Sequence, residues 1–134
     1  MLVRVTLAAL ATAGNVAAQE IDRDEGRALY LTYCVQCHGL DATGNGPMAE
    51  LVAIQTPDLT RLAARNDGVF PTEAVARQID GRARLLAHGG NMPIYGPILE
   101  GGGTIALRLP GGQVMMVGRP LADIIAYLQS VQTE

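Results

Sequence analysis

The chain carries a helical pattern of charged, small and aromatic residues shortly after its amino terminus. Asp22-Arg23-Asp24-Glu25 places negative charge where a helix start favours it, and Gly26, Tyr30 and Tyr33 follow at i, i+4 and i+7 on one face. Glycine inside a helix costs about 1 kcal/mol relative to alanine, so Gly26 predicts the close approach of another helix. The alternative is an unspecific amphipathic helix that tolerates the glycine.

A second helical pattern ends the chain. Pro120 suits a first helical turn, Asp123 complements the helix dipole, and Tyr127 lies beside an apolar face. That face repeats at helical spacing and consists of Leu121, Ile124, Ile125, Leu128 and Val131. The pattern predicts a last helix that buries one side.

Shorter helical patterns lie between these two. Residues 70–72, Phe-Pro-Thr, predict a helix start with Thr72 as the N-cap and with Val75 and Ile79 facing inward. Residues 47–52 predict a short helix that places Met48 in the core. Both segments are expected to connect the first helix to the last.

One segment shows strand character instead. Residues 104–117, TIALRLPGGQVMMV, predict a β-hairpin that turns at Pro110-Gly111-Gly112. Adjacent strand residues point to opposite faces, so one of Met115 and Met116 belongs to the core and the other to the surface.

The first eighteen residues have the pattern of a cleaved signal peptide. Arg4 forms a basic start, residues 5–11 are apolar, Gly14-Asn15 interrupts the run, and Val16-Ala17-Ala18 offers the small residues that a signal peptidase needs. An uncleaved membrane anchor is the alternative, but the run is too short for about 30 Å of hydrocarbon. The sequence therefore predicts an exported, periplasmic domain over residues 19–134 without stable membrane insertion.

Charge and aromatic content restrict the function further. The formal charge is −3, all ten basic residues are arginine, and there is no lysine, which makes nucleic-acid binding unfavourable. One Phe, four Tyr and no Trp leave little aromatic area for a core. A small domain of this kind needs a disulfide, a metal or a cofactor.

Residues 34–39, CVQCHG, hold both cysteines and one of the two histidines. A disulfide between Cys34 and Cys37 would close a very short loop and so stabilise little. A thioredoxin-like pair needs a βαβ context, which the residues before the motif do not show. A zinc site needs four ligands, and beyond this motif only His88 and carboxylates remain. None of these explains why His38 directly follows Cys37. Covalent haem attachment does, because in C-x-x-C-H the two thiols bind the porphyrin and the histidine becomes the proximal iron ligand.

These motifs, in this order, resemble the small class I c-type cytochromes of bacteria over residues from about Glu25 to Ser130. The resemblance implies an all-α cytochrome c fold around one covalently bound haem c. Its first and last helices would cross at Gly26, Tyr30 and Tyr127. Residues 99–118, which contain the predicted hairpin, depart from the compact relatives, and their role is left open between a cover for the haem edge, a docking element and a structural flap.

The resemblance also implies the sixth iron ligand. Met92 lies in HGGNMPIYG, a loop rich in Gly and Pro, and the family's distal ligand is likewise a Met followed by Pro, an aromatic residue and Gly. His88 is the rival ligand, but residues 85–88 could end a helix, and a histidine there more often caps carbonyls than binds metal. The third alternative is an iron without a sixth protein ligand.

Two further residues are implied as haem contacts. In related cytochromes a proline carbonyl in the region of Pro57 accepts a hydrogen bond from the proximal histidine, which fixes the ring. The alternative is a plain turn before a helix that Asp58 or Thr60 caps. Arg82 or Arg84 would pair with a haem propionate, and the alternative is an arginine that is solvated or paired with Asp80.

The function implied is one-electron transfer by a low-spin haem with His38 and Met92 as axial ligands, not catalysis. Redox partner proteins are expected, such as a membrane oxidoreductase, an oxidase or a dehydrogenase, with the protein itself a monomer. Docking without a lysine ring would use scattered arginines or an apolar patch. The alternatives are a cytochrome subunit of a larger complex and a haem whose open sixth site binds small ligands.

Overall fold

A computed structural model describes residues 20–83 and 92–134 of the chain. Within these ranges the α-helices are α1 (Arg23–Tyr33), α2 (Val35–His38), α3 (Thr72–Asp80), α4 (Gly96–Leu99) and α5 (Arg119–Ser130). Short 3₁₀ turns span Ala49–Leu51, Leu59–Arg61 and Ala64–Asn66. Strands β1 (Thr104–Arg108) and β2 (Val114–Gly118) form one antiparallel hairpin. The predicted helical fold with a small hairpin before the last helix is confirmed.

Helices α1 and α5 cross in close contact, as the sequence predicts. Gly26 is buried, and a Cβ at this position would overlap the main-chain carbonyl of Asp123. One turn further along α1 the ring of Tyr30 stacks at a tilt on that of Tyr127, with centroids 5.1 Å apart. Glycine is required at position 26 because the two backbones meet there without space for a side chain.

The carboxylate of Asp123 connects the same two helices. Asp22 caps α1 by accepting hydrogen bonds from the amides of Asp24 and Glu25, and its own amide donates to Asp123 Oδ1 over 2.8 Å. Asp123 is almost fully buried, at 2 % exposure. The sequence predicts that Asp123 complements the dipole of its own helix, α5. In the structure its carboxylate accepts a hydrogen bond at the start of α1 instead.

The core gathers on the inner face of α5. Ile124 and Ile125 are each 1 % exposed, and Tyr30 from α1 is fully buried beside them. Helix α3 contributes Ala76 and Ile79, and α3 and the hairpin both contact α5. The last helix is therefore the element on which the rest of the domain packs.

The hairpin buries alternate residues, as a strand with one covered face must. Ile105 pairs with Val117 and Leu107 with Met115, and all four are buried, while Met116 on the other face is 53 % exposed. The prediction that Met115 and Met116 divide between core and surface is confirmed.

Two local predictions were wrong. Met48 is 43 % exposed, not buried, because residues 49–51 form a single 3₁₀ turn that has no buried residue and so no inner face. Thr72 is the first residue of α3, not its cap; Pro71 holds the cap position. The Thr72 hydroxyl accepts a hydrogen bond from Gln129 Nε2 of α5 instead, over 3.4 Å.

No helix in the two described ranges combines the length and the apolar character needed to cross a bilayer. The residues predicted as a signal peptide lie outside the described part of the chain.

Candidate cofactor site

The motif C-x-x-C-H forms a single helical turn directly after α1. The carbonyl of Cys34 accepts hydrogen bonds from the amides of Cys37 (3.2 Å) and His38 (2.9 Å). Gly39 ends this turn with a φ of 80°, a conformation that favours glycine. The two thiols and the imidazole therefore project from one rigid turn, and the spacing of their side chains follows from local backbone geometry.

The two thiols are half-buried and are not joined in a disulfide. Burial, with a contribution from neighbouring Cys37, raises the pKa of Cys34 to about 11. Redox-active C-x-x-C pairs show the opposite, a lowered pKa that exposes a thiolate. Among residues 20–83 and 92–134, no three side chains of His, Cys, Asp or Glu converge in a way that would hold a metal ion. The raised pKa of Cys34 disfavours a dithiol catalyst, and the described residues provide no set of zinc ligands.

His38 is held by the backbone of a distant segment. The ring is buried, and its Nδ1 lies 3.3 Å from the carbonyl oxygen of Pro57. Burial lowers the pKa of His38, and the contact with Pro57 opposes this in part, so the imidazole is neutral near pH 7. With Nδ1–H donating to Pro57, Nε2 keeps its lone pair for a metal.

The segment that carries Pro57 is itself fixed from both sides. Asp58 accepts from the amide of Thr60 (2.8 Å) and from its hydroxyl (2.6 Å), while the amide of Leu59 donates to the carbonyl of Ala42 over 2.8 Å. A Cβ at Gly44 would overlap the carbonyl of Thr56. Both interpretations of this segment therefore apply: Pro57 contacts His38, and Asp58 caps the turn that follows.

Tyr30 links the helix crossing to the motif, which sequence reasoning missed. Its hydroxyl donates to the carbonyl of Gly39 over 2.6 Å, directly after His38. Burial is the main cause that raises the pKa of this hydroxyl, and the charge of Cys34 adds to it, so the phenol stays a donor. The sequence assigned Tyr30 to helix packing alone, since a hydrogen bond to a main-chain carbonyl leaves no trace in side-chain periodicity.

The loop that follows Met92 lies beside the same turn. Tyr95 donates its hydroxyl to the carbonyl of Tyr33 over 2.9 Å, and the two rings stand 5.9 Å apart. Burial raises the pKa of Tyr95, and the charges of Cys34 and Cys37 contribute, so the hydroxyl stays a donor. Met92 is half-buried against the core. Its place as an iron ligand stays a prediction, and the rival His88 lies outside the described residues.

Arg82 is exposed and has Asp80 as its partner. Its Nε donates to Asp80 Oδ2 over 2.6 Å, and the terminal nitrogen contacts the same carboxylate. This is the second of the two interpretations left open by the sequence, and a propionate would have to compete with Asp80. Arg84 lies outside the described ranges.

The donor set fits a covalently attached haem. Two thiols on one helical turn are what addition to two vinyl groups requires, and a neutral histidine with Nε2 free is the usual proximal ligand. Cys34, Cys37 and His38 would hold the group, with Pro57 behind the histidine.

Comparison with known proteins agrees with this fit. The family model described as Cytochrome c matches residues 24–132, which is most of the chain and runs from the second residue of α1 to beyond the end of α5. Neither the curated proteins nor the solved structures give a match. The family consists of haem-binding proteins that generally transfer electrons, and the C-x-x-C spacing of Cys34 and Cys37 agrees with it. The chain therefore belongs to the cytochrome c family as a class I c-type cytochrome, and its cofactor is covalently attached haem c with its iron.

Proposed function

We propose that this protein is a periplasmic one-electron carrier in which His38 and Met92 are the axial ligands of a low-spin haem. The observation that carries the proposal is the hydrogen bond from Tyr95 to Tyr33, which fastens the Met-Pro loop beside the turn that bears Cys34, Cys37 and His38. Both proposed ligands then belong to elements that hold each other in place. Export depends on residues 1–18 acting as a cleaved signal peptide.

The bound haem would supply reversible one-electron chemistry at its iron. The chain supplies the attachment, through Cys34 and Cys37, and the orientation of His38, through the carbonyl of Pro57 at 3.3 Å. Such a contact to the second nitrogen fixes the ring and increases ligand basicity. A thioether from Met92 is a soft, neutral donor that favours ferrous iron and gives a high potential.

Filled axial positions favour electron transfer because no substrate can then reach the iron. A haem protein that binds small ligands would instead have an open sixth site on its iron. The redox partner would be a membrane oxidoreductase, an oxidase or a dehydrogenase. A free carrier would purify as a monomer, whereas a complex subunit would purify together with the larger enzyme.

The ferric absorption spectrum tests the ligation. Wild-type protein is expected to be low-spin and to show the weak red band of sulfur-to-iron charge transfer. Met92→Ala should lose this band and become high-spin or take up an external ligand, whereas His88→Ala should keep the wild-type spectrum. A band that survives in Met92→Ala, or a low-spin wild type that shows no such band, would refute ligation by Met92.

Export is tested separately. Expressed with its own first eighteen residues, the protein should be recovered from the periplasmic fraction with its amino terminus near Gln19. Recovery of haem-free, full-length chain from the cytoplasm would contradict this part of the proposal.

A further inference from the structure

The side chain of Gln78 lies against the thioether of Met92. Gln78 Nε2 is 3.9 Å from Met92 Sδ, within hydrogen-bonding range for a sulfur acceptor, and both residues are half-buried. We propose that Gln78 is a positioning residue for the sixth ligand, whose amide donates to the Met92 sulfur and raises the reduction potential of the haem. This inference rests on the proposed ligation by Met92.

The contact follows from the docking of two elements. Helix α3 ends at Asp80, and the amide of Tyr95 donates to the carbonyl of Ile79 in its last turn over 2.9 Å. A Cβ at Gly96 would overlap the carbonyl of Asp80. The backbone after Met92 is thus packed directly on the turn of α3 that carries Gln78, which limits how far the amide and the sulfur can separate.

A thioether sulfur has two lone pairs and is a weak acceptor. When one pair is given to iron, the other remains available for the Gln78 amide. A donor at the second pair withdraws electron density from sulfur, so that sulfur donates less to the metal. Ferric iron depends more on that donation than ferrous iron, and the hydrogen bond therefore favours the reduced state.

A glutamine that merely fills space would behave differently. Replacing it by leucine would make the surroundings of the iron more apolar, which disfavours the ferric charge and raises the potential. Loss of a hydrogen bond to sulfur lowers the potential. Because the two roles predict opposite signs, the direction of the shift distinguishes them.

The experiment measures the reduction potential and the sulfur-to-iron band of purified holoprotein. Gln78→Leu removes the amide, and Gln78→Asn keeps an amide that is one methylene too short to reach the sulfur. Gln129→Leu is the matched control, since its Nε2 lies 3.4 Å from the Thr72 hydroxyl at the other end of α3.

We expect both Gln78 variants to keep the band and to shift the redox equilibrium toward ferric iron by about two- to tenfold, the range for one hydrogen bond. Tenfold corresponds to about 59 mV for a one-electron couple. Gln129→Leu should leave the potential unchanged.

An unchanged or higher potential in both Gln78 variants, with the band present in wild type, would overturn the role of Gln78 and leave Met92 as ligand. If the wild type itself shows no such band, ligation by Met92 is wrong and the role of Gln78 fails with it. The second variant ensures a result even if one of the two folds poorly.

Discussion

Gly26→Ala should destabilise this cytochrome although alanine is the better helix former. A Cβ at position 26 would overlap the carbonyl of Asp123 and stand 3.0 Å from the amide nitrogen of Ile124. These are backbone atoms in the middle of α5, which no rotamer change can move. Helices α1 and α5 must therefore separate, on the order of 1 Å, to reach an ordinary van der Waals distance.

The cost can be worked from the crossing. Among the described residues, Tyr30, Ile124 and Ile125 are the largest fully buried side chains, and each contributes about 2 kcal/mol by burial. A gap of about 1 Å forfeits a quarter to a half of contact energy, which is about 1.5 to 3 kcal/mol for the three together. The higher helix propensity of alanine adds about 1 kcal/mol of stability, and strain in the hydrogen bond between Asp22 and Asp123 removes about 1 kcal/mol. The expected net loss is about 2 kcal/mol.

Unfolding of the ferric holoprotein by guanidinium chloride, followed by far-ultraviolet circular dichroism, measures this loss. With a slope of about 4 kcal/mol/M, the midpoint should fall by about 0.5 M. Ala28→Gly at an exposed site of α1 is the matched control and should cost about 1 kcal/mol through propensity alone. If Gly26→Ala raised the midpoint instead, propensity would outweigh the close approach and the crossing would not explain the glycine.

The remaining predictions concern the Met92 loop, the capped turn and the hairpin. Tyr95→Phe removes one hydrogen bond, so it should lower the free energy of unfolding by about 1 kcal/mol. On heating, the variant should also lose the sulfur-to-iron band at a lower temperature than wild type. If both proteins lose the band at the same temperature, this hydrogen bond does not hold the Met92 loop. Asp58→Ala should cost up to about 1 kcal/mol at neutral pH. Hydrogen bonds in the folded state lower the pKa of Asp58, so the stability that this carboxylate contributes is present above the unfolded pKa and disappears as the pH falls through the folded pKa. Wild type and variant should therefore converge in stability only below about pH 4. A stability difference that persists in full at pH 2 would show that the Asp58 carboxylate is not its source. Met115→Ala should cost about 2 to 4 kcal/mol and Met116→Ala less than about 0.5 kcal/mol, because only the first is buried; equal losses in thermal unfolding would refute the assigned register.

Much of the site could be predicted because its chemistry is local. Cys34, Cys37 and His38 occupy one helical turn, so their relative positions are decided by four consecutive peptide units and by no other part of the chain. Gly26 was similarly informative, since a helix-destabilising residue on an otherwise regular face signals contact with another backbone. The alternating pattern of the hairpin predicted which face of β2 is buried, and the structure agrees.

Other features had no side-chain signal to find. The acceptors of Tyr30 and Tyr95 are main-chain carbonyls, which every residue possesses, and the carbonyl of Pro57 is expected as the partner of His38 only through the family resemblance. The prediction that Met48 is buried was wrong for a related reason. Its neighbours suggested a helix with an inner face, but residues 49–51 form only one 3₁₀ turn, which is too short to bury one side. The proximity of Gln78 to Met92 arises from the packing of the Met-Pro loop on α3, fourteen residues apart in sequence.

The sequence by itself thus determined the cofactor attachment, the two crossing helices and the hairpin, because each follows from residue spacing within one element. Only the tertiary structure decided how the segments between those elements are fixed to the site. These contacts join backbone to side chain across long separations, as with Tyr33 and Tyr95. Their geometry depends on how whole elements pack, and no local pattern encodes that.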